Sequence, residues 1–306
     1  MAAINIEIGI MQRTECALNK SANQDGSCLD ASHVQMISTY TKGNNLSEIK
    51  AETQCTDDEC ILTKVNMPVA VEERIKREAL KTKADSLDGN YWMNNTEIDT
   101  CMSQMRKQYP GFAHTFIHMS DMKSFPPSNI NSFDYMVKPL KDINLAECLR
   151  GAINSQPSCP ELSTEGNVPL KSIGIVFNTD RSTGSGQHWF AVYISTDTKD
   201  PQNPSKPLIL IEVFNSSGLD INSKDFQKFW EEQRLQIAQK TGCRCEYRLV
   251  STIPHQRDDT GNCGSYSLFY IYSRLNRARP EEFNVPGKKL LDETMQKFRS
   301  VMFQKK

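Results

Sequence analysis

The chain has 306 residues, 38% apolar and 24% charged, with a net charge of −1, a size and balance that suit one large globular domain or two unequal ones. Near-neutral charge gives no global basis for nucleic-acid or membrane binding, and no run of about 18 apolar residues is present to form a transmembrane helix. Ten cysteines are too few for a disulfide scaffold, and the opening MAAINIEIGIMQRTEC lacks the basic and cleavage regions of a secretory signal, so most cysteines are expected to be reduced.

Residues 1–87 are polar and helix-leaning. The stretch from Pro68 (PVAVEERIKREALKTKAD) predicts a helix with Val71, Ile75 and Leu80 on one side and mixed charges on a solvated face. The turn-forming Asp85-Ser-Leu-Asp-Gly89 predicts a boundary, leaving 88–306 as the larger domain. YWMNNTEIDTCMSQM then predicts a helix entered through Asn94 and Asn95, with Glu97 in its first turn. Another helix is expected after Asn144 (LAECLRGAI).

From Ile173 the texture changes. IGIVF, HWFAVYI and LILIEVF read as strands, the middle one buried and central. Residues 224–240 predict an amphipathic helix with Phe226, Phe229, Trp230 and Ile237 inward and Gly242 as its stop. The strand CEYRLV follows, and then a helix beginning at Cys263. Strands next to one another, with helices grouped at the ends, predict an α+β fold behind a helical N-terminal extension.

Four residues in this frame carry chemistry. Cys263, in TGNCGSYSLFYIYSRL, opens a helix, where the helix dipole and unpaired N–H groups favour the reactive thiolate. Gly264 beside it has no side chain to obstruct a substrate backbone. His188 follows the STGSG loop at the mouth of a strand, held yet reachable, as a general base must be; Trp189 next to it combines core packing with an edge on the site. Asn215 closes the following strand, where its amide can orient an imidazole; Asp220 and Glu212 are the rival orienters. Gln256, seven positions before Cys263, can donate to an oxyanion together with the Cys263 backbone N–H. His255 is the rival base. Taken singly, each is equally a packed cysteine, a strand-end histidine, an Asx turn or a solvated glutamine.

Together, the segments HWFAVYI, LIEVFNSSG and HQRDDTGNCGSYSLFYI resemble the SUMO-protease-like cysteine peptidases, which include the SUMO proteases and the adenovirus protease. YWMNNTEID resembles the Trp-led motif that opens their catalytic domain. The likeness is greatest to a polyprotein-processing protease of a large DNA virus, and extends from Cys55 (CTDDECILT) to LLDETMQKFRSVMF, sparsely before residue 90. The resemblance implies a central mixed sheet flanked by helices, and the catalytic set His188, Asn215, Gln256 and Cys263. It also implies substrate contacts at Trp189 and Gly264, no cofactor and no metal. Its substrates would be viral structural polyproteins cut after Gly-Gly pairs, in the host cytoplasm and virion, with no nucleic-acid or membrane partner. Isopeptidase action on a ubiquitin-like modifier, an acetyltransferase on the same fold and a non-catalytic binding module are the alternatives. Two departures stand out: the Gln256–Cys263 loop is one residue longer than in that viral relative, and Asn262 stands where the family often has an acid. Cys55 and Cys60, and Cys243 and Cys245, lack partners at zinc spacing.

Overall fold

The computed structural model describes Cys16 and residues 26–80, 82–84, 91–115, 118–123, 140–155, 162, 164, 168–221, 223–257 and 260–305. The proposed boundary at 85–89 lies outside the described residues.

Four short helices, α1 (Ala31–Ser38), α2 (Leu46–Thr53), α3 (Asp58–Lys64) and α4 (Val69–Ala79), form the N-terminal layer. Each of the first three begins on a side-chain cap, from Asp30, Asn45 and Asp57 respectively, which satisfies the first free N–H groups. They enclose a core of their own built on Ile37, Ile49, Ile61, Leu62 and Ile75. The helix expected after Pro68 is α4, but its charged surface is not wholly solvated. Glu78 is buried and receives His33 Nε2 at 3.3 Å, Arg74 Nε at 3.0 Å and the Lys107 ammonium. Burial alone would raise its pKa, yet these partners hold the carboxyl below the usual carboxylate range.

The cysteines correct the expectation of a mostly reduced chain. Cys16–Cys28 and Cys55–Cys60 are disulfides, and Cys148 is disulfide-bonded as well. Free among the described residues are Cys101, Cys243, Cys245 and Cys263, all buried. A layer built of helices this short gains from such cross-links, because they restrict the unfolded chain. Spacing alone did not reveal the pairs, since pairing depends on where folding brings two sulfurs.

The extension is joined to the rest of the chain at its last strand. β1 (Thr82–Ala84) pairs in parallel with the C-terminal β8 (Phe303–Lys305), and Gln104 donates to the Leu80 carbonyl at 3.1 Å. α5 (Asn95–Gln108) starts where its sequence placed a helix entry, and does so on a reciprocal Asn94–Glu97 capping box.

The main sheet runs in the order β2-β4-β5-β6-β7, comprising β2 (Phe112–His114), β4 (Ser172–Asn178), β5 (Trp189–Asp200), β6 (Asn203–Phe214) and β7 (Cys245–Leu249), with β3 (His118–Met119) also on β4. β4-β5-β6 are antiparallel, whereas the outer pairings are parallel, giving a mixed sheet. β5 is central, as its apolar run predicted. Alternation along it sorts the two faces. Phe190, Val192 and Ile194 join the core with α6 (Leu145–Ile153) and α7 (Lys224–Thr241). Trp189, Ala191 and Tyr193 join the core with α5, α8 (Cys263–Leu275) and α9 (Asp292–Met302). α7 buries Phe226, Phe229, Trp230 and Ile237 and stops at Gly242 with φ 63°, matching the sequence reading. No helix among the described residues is long and apolar enough to cross a membrane.

Burial also sets a pH limit on this fold. It lowers the pKa of His118 from 6.5 to about 3, and lowers those of His188 and His255 below 6.5. Below about pH 6.5 the unfolded chain binds protons that the folded chain refuses, so stability falls as pH drops toward the folded values. His118 alone should cost about 2 kcal/mol at pH 5. Calorimetry is expected to show Tm falling steadily from pH 7 to pH 5; a constant Tm over that range would contradict the burial argument.

Candidate active site

The end of the sheet where β5 begins and β6 finishes meets the N-terminus of α8, and there His188, Asn215 and Cys263 converge. His188 Nε2 and Asn215 Oδ1 lie 2.7 Å apart. The amide's orientation is not free: its Nδ2 donates to the Leu219 carbonyl at 2.8 Å, and its Oδ1 also accepts from Ser217 N at 3.1 Å. Asn215 therefore presents an acceptor to the ring, which makes Nε2 the protonated nitrogen and leaves Nδ1 as the basic one.

The loop before His188 is pinned rather than flexible, a difference from its glycine-rich sequence. Asn178 Oδ1 accepts from Asp180 N and Gln187 N, both at 2.9 Å, and Asp180 Oδ2 accepts from Gly186 N at 3.1 Å. A side chain at Gly184 would overlap the Asp180 carboxylate. The glycines thus let the loop fold over an anchored acid.

Cys263 is 1% exposed and is the first residue of α8. Burial raises the pKa of its thiol; backbone N–H groups of Trp189, Gly264 and Cys263 itself, and the charge of Arg299, oppose that rise without overcoming it. The N–H of Trp189 at the sulfur places the thiol beside the residue that follows His188. Burial thus pushes the thiol up and the imidazole down. The N–H groups at the helix start act in the direction expected of them, while removal from water acts the other way. Burial dominates Cys101 and pushes Cys245 up to about 12.

Trp189 is buried, its indole Nε1 donating to the Met93 carbonyl at 2.9 Å. A side chain on Gly264 would lie 3.1–3.3 Å from Met93 and Trp189, so the glycine lets α8 pack tightly beneath them. Trp92, the Trp of the YWMNNTEID segment, precedes Met93 and is 52% exposed, a surface aromatic.

Gln256 is oriented at both ends of its amide. Oε1 accepts from Ser216 Oγ at 2.9 Å, and Nε2 donates to the Thr260 carbonyl at 2.6 Å, leaving one N–H for another acceptor. The loop to Cys263 is held by a residue that sequence reading missed. Asp292, from α9, accepts from Arg257 N at 3.3 Å, Thr260 Oγ1 at 3.0 Å and Asn262 Nδ2 at 2.8 Å. Asp292 thus brings a carboxylate against the Asn262 amide. Arg299, also on α9 and fully buried, reaches the Tyr91 carbonyl at 3.0 Å and Asn262 Oδ1 at 3.5 Å.

The rivals are placed elsewhere. Glu212 lies under α8, bonded to Tyr270 at 2.8 Å and Arg274 at 2.7 Å. Asp220 is exposed and accepts from Ile221 N at 2.7 Å. His255 is buried between Leu290 N at 3.1 Å and the Phe283 carbonyl at 2.9 Å, a structural position. No cluster of metal-ligating side chains occurs among the described residues.

Gln256→Ala is expected to lower kcat about 10²–10³-fold with KM little changed, since an oxyanion bond strengthens only in the transition state. Ser216→Ala should lower kcat less, because Thr260 still holds the amide. Steady-state kinetics on both variants checks this; unchanged kcat in Gln256→Ala would leave the hole to backbone N–H groups.

No protein-family model matches the chain. It is 27% identical over 299 residues to the cysteine protease S273R of African swine fever virus (Badajoz strain), covering 95% of each chain. The SUMO-1 cysteine protease S273R of a warthog isolate of that virus is 35% identical over 142 residues, 45% of this chain and 47% of that protein. Among solved structures, the crystal structure of the African swine fever virus pS273R protease matches with a TM-score of 0.62 at 21% identity, over 96% of this chain and 97% of that one. That likeness shows the fold to be that of the pS273R protease, an α+β arrangement as expected from the sequence.

Proposed function

We propose that this chain, a cysteine peptidase of the SUMO-protease-like class acting on protein substrates, cleaves viral structural polyproteins at Gly-Gly-type sites during virion assembly, in the host cytoplasm and the virion. The observation that carries the reading is the His188–Asn215 bond, set beside a thiol that receives the Trp189 N–H. The imidazole is proposed to take the thiol proton as the sulfur attacks.

In the proposed reaction, Cys263 Sγ attacks the scissile carbonyl carbon as its proton passes to His188 Nδ1. The oxyanion takes the remaining Gln256 N–H and the Cys263 backbone N–H. On collapse, the imidazolium protonates the leaving amine and a thioester remains. His188 then draws a proton from water, which attacks the thioester; the acid product leaves and the thiol is restored. Asn215 keeps the tautomer throughout. The preference for glycine rests on the resemblance, and is supported by the recessed thiol under Trp189, which disfavours side chains next to the scissile bond. Residues 1–87 are proposed as a helical extension and 88–306 as the peptidase unit; the separate N-terminal core supports that division.

The test is incubation with the structural polyproteins of the source virus, followed by N-terminal sequencing of the products. New termini following Gly-Gly, absent with Cys263→Ala, are expected. Faster cleavage of a SUMO conjugate than of any polyprotein would favour the isopeptidase reading instead.

A further inference from the structure

A groove of about 1080 Å³ lies at the opposite end of α8 from the thiol, where that helix's C-terminus meets the far ends of β5 and β6 and the start of β4. Thirteen residues of helix separate the two sites, roughly 20 Å at the α-helical rise. The two are different places on the molecule.

The groove carries six cationic side chains and two acidic ones. Three of the cations are already neutralised: Arg274 by buried Glu212, Arg248 by Glu246 and Glu281, and Arg279 by Glu282. Lys171, Lys199 and Arg277 are exposed and have no acidic partner among the described residues. Asp197 is the acid that remains to oppose them. They stand on three separate segments, so their charge is spread along the groove rather than focused on one point. Between them the lining is mixed, with Thr196 and Thr198 beside the buried Leu208 and Leu210 and the half-buried Tyr109.

Arg277 adds an independent observation. Its φ is 67°, in the left-handed region where a residue with a side chain costs on the order of 1 kcal/mol and where glycine or asparagine usually ends a helix. Its N–H bonds the Arg274 carbonyl at 3.0 Å, so the helix stop is intact and a glycine would serve it better. A cation occupies this groove at a cost in backbone strain.

We propose that the groove docks an acidic, extended polypeptide segment, remote from the site of bond cleavage. Cations spread along a groove fit carboxylates placed along a strand-like chain better than one compact anion. In a peptidase that segment would belong to the protein substrate, and would lower KM without touching kcat. Binding itself does not depend on the thiol chemistry, so failure of one reading leaves the other standing.

The probe is a fluorescein-labelled ten-glutamate peptide, followed by anisotropy with the full-length chain. Binding is expected at low salt and should weaken as salt rises, while a ten-glutamine peptide should not bind. The triple variant Lys171→Glu, Lys199→Glu, Arg277→Glu should lose at least about tenfold in affinity while keeping its circular-dichroism spectrum. Arg277→Gly guards against a triple variant that fails to fold: it should raise Tm by relieving the strained φ, yet weaken the probe. Equal binding by wild-type and Arg277→Gly proteins, or no binding by wild type, overturns the proposal. So does tighter binding of a ten-nucleotide thymidine strand, which would make the occupant a nucleic acid.

Discussion

Cys263→Ala is expected to abolish hydrolysis, lowering kcat on the order of 10⁶-fold, the cost of removing a nucleophile in a covalent peptidase. The fold should survive, because the change deletes one buried atom, a cost of about 1 kcal/mol, and leaves the α8 N-terminus otherwise as it is. Cys263→Ser should be nearly as inactive. Burial has lowered the basicity of the His188 imidazole, and its orienting partner is an amide, not a carboxylate. A hydroxyl is far harder to deprotonate than a thiol, and nothing here assists that step enough. Rates on a cleavable polyprotein, paired with thermal melts, check this. Residual turnover above about 1% in the folded Ala variant would mean that another group is the nucleophile.

Asn215→Ala should cost between ten- and a thousandfold in kcat/KM, bounded by about 10⁴ for a mis-set tautomer. His188→Ala should cost more, since Asn215 orients the ring and carries no proton. The pH profile gives a second readout. Burial lowers the His188 pKa and the Asn215 bond partly restores it, so removing the amide lets the pKa fall further. The acid limb of kcat/KM should therefore move to lower pH while its plateau drops. A merely structural Asn would lower the plateau without moving the limb. Asp220→Ala should be silent, its carboxylate being exposed and turned to Ile221 N. If Asp220→Ala instead matches His188→Ala and Asn215→Ala does nothing, the orienter has been misassigned.

Much of the fold was legible because its signals are short-range. The apolar runs around Ile175, Val192 and Ile211 announced three adjacent strands, and the alternation in β5 held through both cores. The Asn94–Glu97 capping box and the Gly242 stop lie within a few residues of the ends they define. The order His188, Asn215, Gln256, Cys263 was visible too, since strand ends and a helix start can be read locally.

By itself, then, the sequence determined where strands and helices lie and which side chains stand at their ends. Tertiary structure alone decided what those side chains experience. Thiolate character could not be read at Cys263, because the helix dipole is local whereas burial under Trp189 comes from a strand 74 positions earlier. Asp292 and Arg299 stayed hidden because they reach Asn262 from α9, about 30 and 37 residues away in sequence. The cysteine pairs and the cationic groove at the far end of α8 depend in the same way on separate segments meeting. Periodicity and caps are properties of neighbours in the chain; desolvation, charge pairing and cross-linking are properties of neighbours in space, and only folding makes those.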